Sequence, residues 1–182
     1  IRKDEVQLFS RKGESFNKKF PAIVESLKKL NIKATLDGEV VAYDEKGKAS
    51  FSEIQNADEK SNVKYHIFDI LNLNGVDTTQ LPLSERKKYL KKVIKNKRNV
   101  LLTKFVATKG KDLFKKTLKS GEGIMAKKLD SKYISGERTS DWIKIKNQMR
   151  QEFVIGGITK PKGNRDGFGS LIVGYYKGKK LI

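Results

Sequence analysis

A chain of 182 residues, 37% of them hydrophobic, is long enough for one full domain and part of another and can bury a real core, which excludes a disordered tail. Its 40 Lys and Arg against 21 Asp and Glu leave a net charge of +19, an excess that points to a polyanionic partner, nucleic acid first. The absence of cysteine excludes a disulfide framework and thiolate metal sites. The single histidine, His66, argues against a histidine zinc site or a serine-type triad, and without a long apolar run or a signal-like start a soluble cytoplasmic monomer with no membrane partner is expected.

Taken in order, Val6 to Phe9 reads as a strand entering the polar turn Ser10–Gly13, which carries Arg11 and Lys12. Phe20, Ile23, Val24, Leu27 and Leu30 have helical spacing. Ala34 to Tyr43 is β-rich and interrupted by Asp37 and Glu39; two carboxylates two apart on a strand share a face and can reach one ligand. In the following FSEIQ, Phe51–Gln55, Ser52 is a fair N-cap for a short helix. Val63 to Leu71 has the apolar density of a mostly buried strand. A helix capped by Ser84 is predicted to run to about Asn96, with Leu90, Val93 and Ile94 inward and a solvated lysine-rich outer face. Val100 to Val106 reads as a strand and Lys111 to Leu118 as a helix.

The next stretch, EGIMAKKLDSKYISGERTSDWIKIK from Glu122 to Lys146, holds two alternating segments, Gly123–Lys127 and Trp142–Lys146, around a polar link. In the second, Trp142, Lys144 and Lys146 share one face while Ile143 and Ile145 are expected to point into a core. Two ammonium groups on one face want an anion. With Glu122 at one strand start and Lys127 at its end, the layout suits a phosphate and metal site. Beyond it, Gln151–Thr159 and Gly169–Tyr176 read as strands separated by a Gly, Pro and basic loop.

EGIMAK followed by SDWIKIK resembles the fourth and fifth motifs of the covalent nucleotidyltransferases, most closely the ATP-dependent DNA ligases of bacterial end-joining type. SRKG, LDGEVV and YHIFDIL resemble further motifs of that family, in family order, and FSEIQ resembles its short helix. The resemblance implies an α+β fold, mainly antiparallel sheets with flanking helices in a nucleotidyltransferase or ATP-grasp-like ligase core. An adenylation domain over 1–148 would be followed by an incomplete OB-fold barrel over 149–182. It implies that Phe68 stacks on adenine with Asp69 close by, that Glu39 binds the ribose, that Lys144, Lys146 and Arg138 hold phosphate, and that Lys144, Lys146 and Glu122 serve catalysis. Asp37 and Glu122 would hold Mg²⁺ or Mn²⁺, and Arg11, Lys12 and Lys127 would face DNA. His66 stands where an aromatic is common and reads as packing or polar lining.

Implied with these are ATP, which leaves AMP on a lysine and then on a DNA 5′-phosphate, a nicked or broken duplex as substrate, end-joining proteins as partners, and a nucleoid-associated location. The family's nucleophile lies in a Lys-x-Asp-Gly motif, and no such motif occurs here. This chain by itself is therefore expected not to adenylate itself. An RNA ligase, an mRNA-capping nucleotidyltransferase and a non-catalytic basic DNA-binding module are the alternatives.

Overall fold

A computed structural model of the protein describes residues 1, 5–118, 123–147, 151–164 and 166–182. The first helix, α1 (Pro21–Lys28), starts on a proline, whose fixed φ suits the first turn, and buries Ile23, Val24 and Leu27. These pack with Phe20 against a four-stranded sheet. Its strands β1 (Ala34–Ala42), β2 (Val63–Leu73) and β3 (Val76–Asp77) are antiparallel in the order given, and β4 (Val100–Leu102) lies parallel to β2. The remaining elements are α2 (Phe51–Gln55), α3 (Leu83–Val93) packed on β2, α4 (Gly110–Thr117), the ribbon of β5 (Ile124–Lys127) with β6 (Trp142–Ile145), the ribbon of β7 (Val154–Ile158) with β8 (Leu171–Gly174), and the ribbon of β9 (Tyr176–Lys177) with β10 (Lys180–Leu181). The mixed α and β composition with mainly antiparallel pairing is as expected, β4 being the parallel exception.

The pairing of β1 with β2 slips twice. Leu36 faces Ile70 but Thr35 faces Asn72, and Asp37 faces Asp69 while Gly38 faces Ile67, so Leu71 and Phe68 are extra residues on β2. A bulge puts consecutive side chains on one side of a strand. Hence Val63, Tyr65, Ile67 and Ile70 reach the core, while Phe68 and Asp69 both turn to the other face, where β1 presents Asp37 and Glu39. Gly38 is required opposite this bulge: a Cβ there would lie 2.6 Å from the His66 carbonyl oxygen and 2.6 Å from the Tyr65 ring. A cavity of about 610 Å³ between the N-terminal segment and β1, lined by Leu8, Leu27, Leu36 and Tyr65 among others, contains none of the candidate site residues.

Several local expectations need correction. Val6 to Phe9 forms no ladder, only a bridge from Phe9 to Ser15, because the Asn17 side chain bonds the Leu8 N–H at 2.7 Å and the Val6 carbonyl at 2.7 Å where a neighbouring strand would. The Ser10–Gly13 turn does form, closed by Gly13 N–H to the Ser10 carbonyl with Gly13 at φ +84°. The cap of α2 is Ser50, whose hydroxyl accepts from Glu53 N–H, and not Ser52. Ser84 does not cap α3; Leu83 and Ser84 donate their N–H groups to the Ser131 and Leu129 carbonyls, a tertiary cap supplied by the β5–β6 connection. The helix stops at Val93, and its expected solvated face is wrong at Arg86 and Lys87, both buried. The strand after α3 is three residues long, not seven. Ile143 and Ile145 are 55% and 39% exposed instead of in a core, because β5 and β6 form a two-stranded ribbon that no third strand extends among the described residues and that α4 covers only in part. The C-terminal region holds four short strands in two ribbons where two were expected: Gly174 ends β8, and the chain from Tyr175 onward folds back so that Tyr175 and Ile182 exchange both backbone bonds.

Candidate active site

The β5–β6 register sets Met125 opposite Lys144 and Lys127 opposite Trp142. By strand alternation these four share a face with each other and with Lys146, as the sequence predicts for Trp142, Lys144 and Lys146. Gly123 makes the start of this ribbon possible. A Cβ there would lie 2.0 Å from the Ile145 carbonyl oxygen, so no other residue fits without separating the strands.

This face meets the bulged face of β2. The Phe68 and Trp142 rings stand edge to face with centroids 6.3 Å apart, and the Lys127 ammonium lies 4.1 Å from the Phe68 centroid and 3.4 Å from that of Trp142. A desolvated cation against aromatic faces gains about 2 kcal/mol. Burial nonetheless brings the Lys127 pKa down to about 8, against the pull of Asp69 and Asp37. Trp142 also takes the edge of Tyr133 at 5.6 Å, and the Tyr133 hydroxyl donates to Asp37 Oδ2 at 2.8 Å. Burial raises the pKa of Asp37, with the Tyr133 and Gly38 hydrogen bonds opposing, and burial followed by the Asp37 bond raises that of Tyr133.

Beneath the rings lies a fully buried ion pair. Arg86 donates from Nε and Nη2 to the two carboxylate oxygens of Asp69 at 2.8 and 3.1 Å, and from Nη1 to the Leu81 carbonyl and, at 3.0 Å, to the Ser131 carbonyl. Its guanidinium sits 5.9 Å from the Tyr133 centroid. Lys87 Nζ donates to the Phe68 carbonyl at 2.7 Å and lies 5.1 Å from the Phe105 ring; burial lowers its pKa. One helix thus ties the strand bearing Phe68 to the loop between β5 and β6. Neither Arg86 nor Lys87 was singled out by sequence, because a basic residue on a lysine-rich helix looks like any other until its tertiary partner is known. Tyr133 and Met125 were likewise missed.

The other candidates are placed as follows. Glu39 is exposed on the same face of the β1–β2 pair, directly opposite His66. Lys144, Lys146 and Arg138 are exposed on β6, just after it, and on the β5–β6 connection. Arg11 and Lys12 are exposed on the Ser10–Gly13 turn, where no contact links them to the aromatic cluster among the described residues. Glu122 lies outside the described residues. Among those described, no three His, Asp or Glu side chains come together to hold a metal, and Asp37 is engaged by Tyr133; the donor set for a divalent ion is not completed by them.

The family model of the ATP dependent DNA ligase domain matches residues 1–146. The chain belongs to this family. It is 38% identical over 179 residues to the multifunctional non-homologous end joining protein LigD of Pseudomonas aeruginosa, covering 94% of this chain and 21% of that protein. It is 31% identical over 206 residues to a DNA ligase of Sulfophobococcus zilligii, covering 98% of this chain and 34% of that one. The chain therefore spans between about a fifth and a third of the length of these relatives. Among solved structures, a mycobacterial DNA ligase D complexed with ATP and MES superposes with a TM-score of 0.70 at 31% identity, over 94% of this chain and 56% of that one. The ligase domain from M. tuberculosis LigD does so with a TM-score of 0.68 at 31% identity, over 98% and 58%. Membership in the ligase family accords with the resemblance read from EGIMAK, SDWIKIK, LDGEVV and YHIFDIL. No helix among the described residues is long and apolar enough to cross a membrane.

Proposed function

We propose that this chain is the nucleotide-binding part of an ATP-dependent DNA ligase that seals nicks or breaks in duplex DNA through enzyme-AMP and DNA-AMP intermediates, in the cytoplasm and at the nucleoid. The observation that supports this is the meeting of the β2 bulge with the β5–β6 ribbon, which brings Phe68 against Trp142, the residue two before Lys144 on β6. Phe68 offers its ring to adenine. Glu39, exposed on that face, accepts hydrogen bonds from the ribose. Lys144 and Lys146 hold phosphate oxygens, with Arg138 adding charge from the connection. Every step of such a reaction is displacement at phosphorus, so cations fixed on the phosphate oxygens offset the charge that develops there. Arg11 and Lys12 serve DNA in this reading, Lys127 being held between the Phe68 and Trp142 rings, and end-joining proteins are the further partners.

A divalent ion would supply further charge to the phosphates; Glu122 and Asp37 are the proposed ligands, and the roles given to the other side chains do not depend on it. Residues 149–182 open an OB-type domain in this proposal. Without a Lys-x-Asp-Gly motif, the chain itself forms no covalent lysyl-AMP.

Calorimetry with AMP and adenosine tests the reading. Lys144→Ala should weaken AMP more than adenosine, because it removes a charge-assisted contact to phosphate. Phe68→Ala should weaken both about equally, by up to about 1–3 kcal/mol for one lost stacking face. Normal binding of both ligands by a folded Phe68→Ala variant would show that Phe68 is only packing against Trp142.

A further inference from the structure

The β1–β2 register carries one more side chain to the sugar end of this face. His66 is directly opposite Glu39, two residues before Phe68 and on the same side of β2. Opposed residues of an antiparallel pair bring their Cβ atoms within about 5 Å. The ring is half-buried, and burial, then Lys64, lowers its pKa while Glu39 opposes, so the imidazole is neutral at pH 7. Its Nε2 lies 2.7 Å from the Tyr43 hydroxyl, with the two rings 6.2 Å apart and the Lys64 ammonium 5.1 Å from the Tyr43 centroid. When the Tyr43 hydroxyl donates to Nε2, the ring proton sits on Nδ1, which then serves as a donor.

We propose that His66, held by Tyr43, is a specificity-determining residue for the sugar of the bound nucleotide: it donates from Nδ1 to a ribose hydroxyl oxygen whose proton is accepted by Glu39. A hydroxyl is satisfied by one acceptor and one donor, and Glu39 alone supplies only the acceptor. The pair therefore selects ribonucleotides over their deoxy counterparts. This rests on the nucleotide reading above.

The test is binding of AMP, 2′-deoxy-AMP and 3′-deoxy-AMP to the full chain by calorimetry, for the wild type and for His66→Phe, His66→Gln and Tyr43→Phe, each checked for folding by circular dichroism. One neutral hydrogen bond corresponds to roughly 2- to 10-fold in affinity. The wild type should prefer AMP over one of the deoxy analogues by at least that much. In His66→Phe the preference should fall by about that factor, the residue being the Glu39 acceptor alone, with affinity for that analogue nearly unchanged. His66→Gln should restore part of the preference through its amide donor, and Tyr43→Phe should lower it by releasing the ring. An unaltered AMP preference in both His66→Phe and Tyr43→Phe, with AMP still bound, would overturn the role of His66 and leave the nucleotide reading standing. Failure of all three ligands to bind the folded wild type would sink both.

Discussion

Replacing Arg86 by methionine removes the charge that neutralises Asp69 while keeping much of the side-chain volume. Both partners are fully buried, and the guanidinium makes two bonds to the carboxylate and two to the carbonyls of Leu81 and Ser131. Breaking a buried pair from one side leaves an uncompensated charge and costs about 3–5 kcal/mol, far more than the roughly 0–1 kcal/mol of an exposed pair. With a urea slope of about 1–3 kcal/mol per molar, the unfolding midpoint should fall by roughly 1–5 M. Trp142, the only tryptophan in the chain, reports directly, since it packs on Tyr133, against which Arg86 stacks. Its emission in the native baseline should shift as well, because the β5–β6 connection loses one of its two bonds at the Ser131 carbonyl. Adding Asp69→Leu should recover part of the loss, as neither member of the pair then leaves a lone charge, though the Leu81 carbonyl still loses its Arg86 donor while Ser131 keeps the Leu83 N–H. A single-variant loss below about 1 kcal/mol would refute the reasoning, since it would mean that water reaches the pair in solution.

Lys127 should titrate anomalously. Amine labelling followed by mass spectrometry should inflect near pH 8 at this residue, and Trp142→Ala should move the inflection upward by restoring solvent; labelling that follows the other lysines would contradict the cage. The sign for stability follows from the same shift. The cost of burying the charged amine is full and constant below about pH 8. It is relieved as pH rises towards the unfolded value of about 10.4, so this group makes the fold more stable across that interval. Gly123→Ala should lose about 1–3 kcal/mol and reduce the AMP-over-adenosine preference, because the added methyl meets the Ile145 carbonyl and displaces the strand bearing Lys144; an unchanged melting curve would argue against that close approach. With a charge of +19, affinity for duplex DNA should fall linearly on a log–log plot against salt and hardly vary with sequence, and a flat response in a salt titration would make the charge a solvated surface only.

The chain sequence by itself determined the longer helices and strands, because the apolar spacing of Ile23, Val24 and Leu27 or of Val63, Tyr65 and Ile67 is a local property that packing then uses. It also determined the shared face of Trp142, Lys144 and Lys146, since alternation along a strand needs no partner. The family was legible for a similar reason: short motifs keep their residues whatever surrounds them. Tertiary structure alone decided the rest. The bulge that turns Phe68 and Asp69 to one face depends on the register between β1 and β2, and register is a relation between two segments, not a property of either. Arg86 and Lys87 read as solvated until Asp69, Ser131 and the Phe68 carbonyl are brought to them, 17 residues or more away along the chain. The capping of α3 was hidden likewise, because its first N–H groups are satisfied by carbonyls from the β5–β6 connection and not by a local side chain. Ile143 and Ile145 show the converse: alternation marks them as one face, but how far a face is covered depends on what packs against it, and here they stay 55% and 39% exposed.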